Sequence, residues 1–351
     1  MALFKSKEVV GVDIGTHSIK VVELAWSGKS VQLQSLGVVP VPPQAIVDGA
    51  ILDKGAIVES LQGLLREHKI KRRQAAIGLS GHSVIVKKIS LPEMSDTELE
   101  ESIHWEAEQY IPFDIDDVNL DFQIIEGGSS EEGKMDVLLV AAKKEKIDDY
   151  TDLLIQAGLQ PAVVDLDAFA LQNAWELNYE SVPGQNVALV NIGAGFTNIS
   201  VLRGGVTSFT RDISIGGNHF TDAIQKELAL SAEQAERIKT GREGGADAAA
   251  VRRLVDTVSE NIAVEIQRSF DFFRATTADQ AIHRILLSGG SARIRGLDAF
   301  LGQRLRTDVE IFDPLQNVKV NPKKFDEAFL RDCAPAAAVA VGLALRKAGD
   351  R

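Results

Sequence analysis

The chain has 351 residues, 45% of them apolar, with 38 basic against 50 acidic side chains and a formal net charge of −12. That length and apolar content can bury a large core in two or more domains, while the charge argues against a protein that coats nucleic acid or an anionic membrane. A single cysteine, Cys333, permits no internal disulfide, and the six histidines lack ligand spacing, so a reducing compartment without a zinc site is expected.

In chain order, the opening "MALFKSKEVVGVDIG" lacks the apolar region and cleavage site of an export signal. Strand-like runs follow at Val9 to Asp13, Ser18 to Leu24 and Val31 to Val39, then a helix around Lys54 to His68 and a strand at Ala75 to Leu79. From Val84 to Val164 the pattern is βαββαβ, the order of a split βαβ unit, which predicts a small inserted subdomain. Its first helix starts at a capping box, Ser95 with Glu98, and a hydrophobic staple, Met94 with Leu99. "GGSSEEG", Gly127 to Gly133, predicts the tip of a hairpin. Strands return at Asn186, a mainly helical stretch runs from about Asn218 to Phe273, and "HRILLSGG" predicts a strand before a helix at about Leu297 to Leu305. Asp313 to Asp332 shows no clear periodicity and predicts loop or short turns. "APAAAVAVGLAL", Ala334 to Leu345, is shorter than the ~20 residues of a membrane span and predicts a buried helix opened by Pro335.

The chemistry-bearing stretches are rich in glycine. "VVGVDIGTHSIKVVEL" and "ALVNIGAGFTNISVL" each read strand, Asp or Asn, one residue, Gly, then a second strand, and they lie half a chain apart. Glycine lets such turns bring backbone N–H groups close to an anion, and an acid at the turn can hold Mg²⁺, usually through water. Two such hairpins facing each other can clamp a polyphosphate. A third stretch, "ILLSGGSARIRGL", ends a strand in Gly289-Gly290, where small residues let a flat base lie against the backbone. One D-x-G alone is weak, because any hairpin can contain it; the spacing of all three is far more specific.

That set resembles the actin-like ATPase superfamily. It has a phosphate-1 hairpin at Asp13, Gly15, Thr16, His17 and Ser18 with Lys20 after it, a phosphate-2 hairpin at Asn191, Gly193, Ala194 and Gly195, and an adenosine loop at Gly289, Gly290 and Ser291. Glu236 and Lys239 in "AERIK" match positions that face the nucleoside in bacterial relatives, although an i,i+3 pair also reads as a solvated ion pair. "EAEQYIPFDIDDVNLDFQII", "VVDLDAFALQNAWE" and "RDISIGGNHFTDAIQKEL", the last with Gly216 and Gly217, resemble the PilM family of type IV pilus assembly proteins, relatives of the cell-division protein FtsA.

The resemblance implies an α/β, two-lobed actin-like fold. Its first lobe is residues 1–82, completed by 165–184 and 334–351; the inserted 1C-type subdomain is 83–164. The second lobe is 185–215 and 283–333, and a mainly helical subdomain is 216–282. It also implies ATP with Mg²⁺ between the lobes. Asp13 then contacts the metal through water, and the N–H groups of Gly15, Thr16, Gly193 and Gly195 hold phosphate oxygens. Asp167 orients water, or one of Asp165 and Asp167 merely caps the helix starting near Ala168. Asn191, where the superfamily usually has Asp, cannot act as a general base, so slow or absent hydrolysis is expected and an enzymatic role stays open.

The partners implied are the N-terminal cytoplasmic tail of PilN, bound in a groove near the inserted subdomain, and other inner-membrane and motor proteins of the pilus. Location at the cytoplasmic face of the inner membrane comes through those partners, homo-oligomerisation is left open, and nucleic acid is not expected. "YIPFD", Tyr110 to Asp114, either shapes the interface between the lobes or belongs to the core. The rival readings are an FtsA-like or type II secretion scaffold and a small-molecule kinase of the same superfamily. The chain ends at "LALRKAGDR" without the amphipathic helix expected of FtsA, and no candidate base supports the kinase.

Overall fold

The computed structural model describes residues 7–47, 49–125, 133–243, 247–276 and 281–350. The strands are β1 (Val10–Ile14), β2 (Ser18–Ser27), β3 (Ser30–Pro40), β4 (Ile46–Val47), β5 (Ala50–Ile51), β6 (Gln74–Leu79), β7 (Val84–Pro92), β8 (Val118–Ile125), β9 (Lys134–Lys143), β10 (Gln160–Leu166), β11 (Asn186–Ile192), β12 (Thr197–Arg203), β13 (Val206–Ile213), β14 (Arg284–Ser288), β15 (Asp308–Ile311) and β16 (Val318–Lys319). The helices are α1 (Lys54–Glu67), α2 (Asp96–Ala107), α3 (Lys144–Gln156), α4 (Asp167–Asn178), α5 (Gly217–Leu228), α6 (Ala232–Lys239), α7 (Ala248–Thr276), α8 (Leu297–Leu305), α9 (Glu327–Cys333) and α10 (Ala338–Ala344).

Two large sheets frame the molecule, one ordered β10-β6-β1-β2-β3-β16 and the other β13-β12-β11-β14-β15. Each opens with an antiparallel hairpin, β1–β2 and β11–β12, joined to parallel neighbours β6 and β14. The period-two alternation of β11 divides its side chains between two cores. Ala188, Val190 and Ile192 face a core shared with α5, α7 and α8. Val187 and Leu189 face one built with α4 and α10. On the first sheet, Val10 and Val12 meet Ile57 and Leu61 of α1 and Leu153 and Leu154 of α3. The layers therefore run α1/α3, first sheet, α4/α10, second sheet, α5/α7/α8, with α4 and α10 buried between the lobes.

The "APAAAVAVGLAL" tract is the joint of that middle layer. Ala334–Ala337 forms one 3₁₀ turn before α10, and every residue of α10 is buried. Its small side chains permit unusually close approach: a Cβ on Gly342 would lie 1.7 Å from the carbonyl oxygen of Ala170 in α4.

A third sheet, β7-β9-β8, carries α2 on a separate core that includes Ile89, Leu99, Ile103, Val137 and Leu139. α2 starts as expected, with Ser95 and Glu98 closing a reciprocal capping box. The βαββαβ order is present along the chain, but its last two elements are not part of this unit. β10 pairs in parallel with β6 of the first sheet, and α3 packs on α1 in the first lobe's core. Continuous order along the chain hid this crossing, because β9 runs straight into α3 without a linker. The expected hairpin tip at 127–132 lies outside the described residues. Two differences appear near the C-terminal end: the stretch expected to be loop forms α9, capped by Asp326, and contains β16, which crosses from the second lobe to pair with β3.

Candidate functional site

The first hairpin places Asp13 directly opposite Lys20 across β1 and β2, and the pair forms a 3.1 Å ion pair with each side chain little exposed. Its turn is closed by the Gly15 N–H donating to Ser18 O at 3.1 Å. The second hairpin closes in the same way, with Gly193 N–H donating to Phe196 O at 2.9 Å. The two turns meet tip to tip: a Cβ on Gly195 would lie 3.1 Å from Thr16 Oγ1. Of the four amides expected to face a phosphate, those of Gly15 and Gly193 thus serve their own turns, and Thr16 and Gly195 are the pair at the meeting point.

Behind the second turn, α5 begins at Gly217, whose N–H donates to Gly193 O, while Asn218 N–H donates to Ala194 O, both at 2.8 Å. Gly216 must lack a side chain, since a Cβ there would stand 2.6 Å from Ala194 O. Gly289 has φ +88°, in the left-handed region, and its missing side chain leaves room for Ile192 O and Asn191 Oδ1. Ser291 reaches Gly193 O at 3.3 Å. Gly290 has nothing within 4 Å of where its Cβ would be, so this edge of the cleft is open.

α6 is capped by Ser231, which forms a capping box with Gln234, and its Glu236 and Lys239 meet Thr221 of α5. These two are no solvated surface pair: Lys239 Nζ lies 2.5 Å from Glu236 Oε2 and its side chain is 7% exposed. Lys239 also donates to Thr221 Oγ1 at 3.0 Å and Gly217 O at 3.2 Å, which uses all three ammonium protons. Glu236 Oε2 further accepts from Thr221 at 2.7 Å, so its other oxygen is the one left for a ligand. Burial pushes the Lys239 ammonium below its usual range. Burial acts to raise the Glu236 carboxyl, but the charge of Lys239 and its hydrogen bonds outweigh that and hold it low. His17 faces this pair from the first lobe, and burial lowers its pKa against the pull of Glu236.

Asp167 is the first residue of α4, on the cleft floor. The helix cap is Leu166, without a side-chain hydrogen bond, so neither aspartate caps α4 through its carboxylate. Burial, with Asp13 nearby, raises the Asp167 carboxyl to about 7, partly offset by a hydrogen bond with Ser80. Asp165 does something else: it accepts from Arg346 at 2.7 Å and from the Leu166 N–H at 2.8 Å, tying the segment after α10 to the lobe junction.

Sequence reasoning passed over the neighbours of Asn191. Ser288 donates to Asn191 Oδ1 at 3.3 Å, Asn191 Nδ2 to Asn198 Oδ1 at 3.0 Å, and Asn198 Nδ2 to Asp212 Oδ1 at 2.8 Å. Asp212 Oδ2 accepts from the Gly81 N–H, in the first lobe, at 2.5 Å. Only the pairing of Asn191 with Asn198 and of Asn198 with Asp212 across β11, β12 and β13 brings these together, and no short motif spells that register.

The donor set suits a magnesium nucleotide: an acid beside a lysine, two glycine turns that meet, a Glu236 oxygen that accepts no hydrogen bond among the described residues, and an open glycine edge. Among the described residues, no group of three or more His, Cys, Asp or Glu is arranged to hold a metal by itself. No helix of the described residues is long and apolar enough to cross a membrane.

Comparison with known proteins adds independent support. A family described as type IV pilus assembly protein PilM matches residues 11–348. A solved PilM-PilN type IV pilus biogenesis complex contains a chain that aligns with TM-score 0.86 at 31% identity, covering 97% of this chain and 98% of that one. The MreB5 protein of Spiroplasma citri, solved bound to ADP, shares the fold at TM-score 0.55 and 13% identity, with 96% and 94% of the two chains covered. Cell division protein FtsA of Bacillus subtilis is 25% identical over 253 residues, 66% of this chain and 57% of that protein, so the match spans under two thirds of that relative. The actin-like fold, the glycine hairpins and the match from end to end together make this chain a member of the PilM family of type IV pilus assembly proteins.

Proposed function

We propose that the chain is a nucleotide-dependent adaptor of the type IV pilus inner-membrane platform, acting in the cytoplasm and reaching the membrane through its partners. ATP with Mg²⁺ is held between the lobes, with slow or absent turnover, and the N-terminal cytoplasmic tail of a PilN protein binds beside the inserted subdomain. The observation that carries the nucleotide half is the tip-to-tip meeting of two duplicated turns at Thr16 and Gly195, above Asp13. Asp13 contacts the metal through water, Lys20 and the Thr16 and Gly195 amides contact phosphate oxygens, and the free Glu236 oxygen accepts from a ribose hydroxyl. Bound there, Mg²⁺ would offset the charge of the phosphates. Lys239, with its protons committed, positions Glu236 rather than touching the nucleoside. Asp167 is the candidate for orienting water, and Asn191 supplies hydrogen bonds but no base.

Two features support the peptide half. The similar chain of known structure was solved as part of a PilM-PilN complex, and this chain has a cavity of about 420 Å³ where the inserted subdomain meets both lobes. Val84, Val86, Phe113 and Leu166 give it apolar walls and Asp212 a polar one, a composition suited to a short extended segment. Fluorescence anisotropy with a labelled N-terminal peptide of the cognate PilN tests this. Saturable binding that weakens at least ~10-fold in Phe113→Ala is expected; no binding with or without ATP would remove PilN from the account.

A further inference from the structure

The cavity and the cleft share one short loop. Ser80 to Ser83 leaves β6 of the first lobe and enters β7 of the inserted subdomain, one of the two connections on which that subdomain hangs; the other, where β9 runs into α3, is tied to it by the Lys143 N–H donating to Ser83 O at 3.0 Å. Two of its residues are held from the cleft side, and Ser80, beside them, lies next to the Asp167 carboxyl. The Gly81 N–H donates to Asp212, the end of the chain Ser288, Asn191, Asn198, Asp212. His82 packs edge-on against Phe196 of the second hairpin at 5.8 Å between ring centroids, and its Nε2 lies 2.9 Å from Ser214 Oγ.

Two of these links start from the same hairpin by different chemistry. One is a directional hydrogen-bond chain in which each amide donates toward Asp212. Its central member, Asn198, is 6% exposed, so water is poorly placed to replace a lost partner. The other is an aromatic contact at the hairpin tip. A displacement of the second hairpin relative to the first lobe therefore has to break these contacts or carry Ser80 to Ser83 with it. The same loop lines the cavity, together with Asp212.

We propose that the β11–β12 hairpin and the Ser80 to Ser83 loop move as one unit, through Asn198–Asp212–Gly81 and Phe196–His82, so that a nucleotide in the cleft sets the position of the inserted subdomain and the width of the cavity at its base. This inference rests on the nucleotide site proposed above, and coupling of this kind needs a physical element biased by both sites. The loop is that element.

Hydrogen–deuterium exchange on the full chain, with and without ATP·Mg²⁺, tests it, with nucleotide affinity measured on the same samples. In the unaltered protein, nucleotide is expected to slow exchange over residues 80–86 by about 5-fold or more. Asn198→Ala and, separately, the milder His82→Ala are expected to reduce that slowing to less than about 2-fold while both proteins still bind nucleotide. Nucleotide binding with unchanged exchange at 80–86, or equal protection in both variants, overturns the coupling and leaves the nucleotide site standing. No nucleotide binding by the unaltered protein overturns the site, and the coupling with it.

Discussion

Asn191 shows why a single residue reads differently in sequence and in structure. As a sequence position it is a missing carboxylate; in the fold it is a donor whose amide meets Asn198, which in turn serves Asp212. A carboxylate at 191 would compete with Asp212 for the one amide group of Asn198, leaving an acceptor facing an acceptor. Asn191→Asp is therefore expected to cost about 1–3 kcal/mol in a urea melt, and an unchanged melt would show the network to be idle. Asp167 gives a pH prediction for the nucleotide-free protein. Its carboxyl titrates near 3.8 in an unstructured chain but at about 7 in the fold. The folded state keeps its proton where the unfolded state has lost it, so this group's contribution falls as pH rises through that window and is level above it. Asp167→Asn removes that penalty: its stability relative to the unaltered protein should rise by roughly 2 kcal/mol between about pH 5.5 and 8. A gap independent of pH would mean that Asp167 ionises normally.

Elements with a strong local signal were legible in the sequence. The two hairpins, α1, the capping box of α2 and the buried tract at the end of the chain all follow from periodicity, caps and turn residues. Elements whose place depends on distant partners were not. β10 has the composition expected of a strand, but its partner β6 lies far back in the chain, and the split-βαβ order offered a nearer and wrong neighbour. β16 is two residues long, too short for any periodicity to register. α9 is seven residues, and only its Asp326 cap marks it. The small residues of α10 were readable as buried, but not why they are small. With Ala170 O only 1.7 Å from where a Cβ at position 342 would stand, Gly342→Ala must push α10 off α4. A loss of roughly 3 kcal/mol or more is expected by thermal melt, and a neutral result would mean that the lobe junction yields easily.

For the whole molecule, the glycine stretches identified which parts of the chain meet, while the geometry redistributed their roles. Gly15 and Gly193 shape the turns with their amides, Thr16 and Gly195 face each other, and Lys239 fixes Glu236. Helix spacing put Glu236 and Lys239 on one face, but only α5 packed against α6 buries the pair, which is why a surface ion pair stayed open as the lesser reading of the sequence. Under the proposed function, the two-lobed clamp holds a nucleotide more readily than it consumes one. The most direct test is to incubate the purified chain with ATP·Mg²⁺, separate it rapidly from free ligand, and identify the nucleotide retained. The account predicts about one nucleotide per chain, still mainly ATP, with retention lost in Asp13→Ala. No retained nucleotide, or rapid conversion to ADP by a chain carrying Asn191, would contradict it.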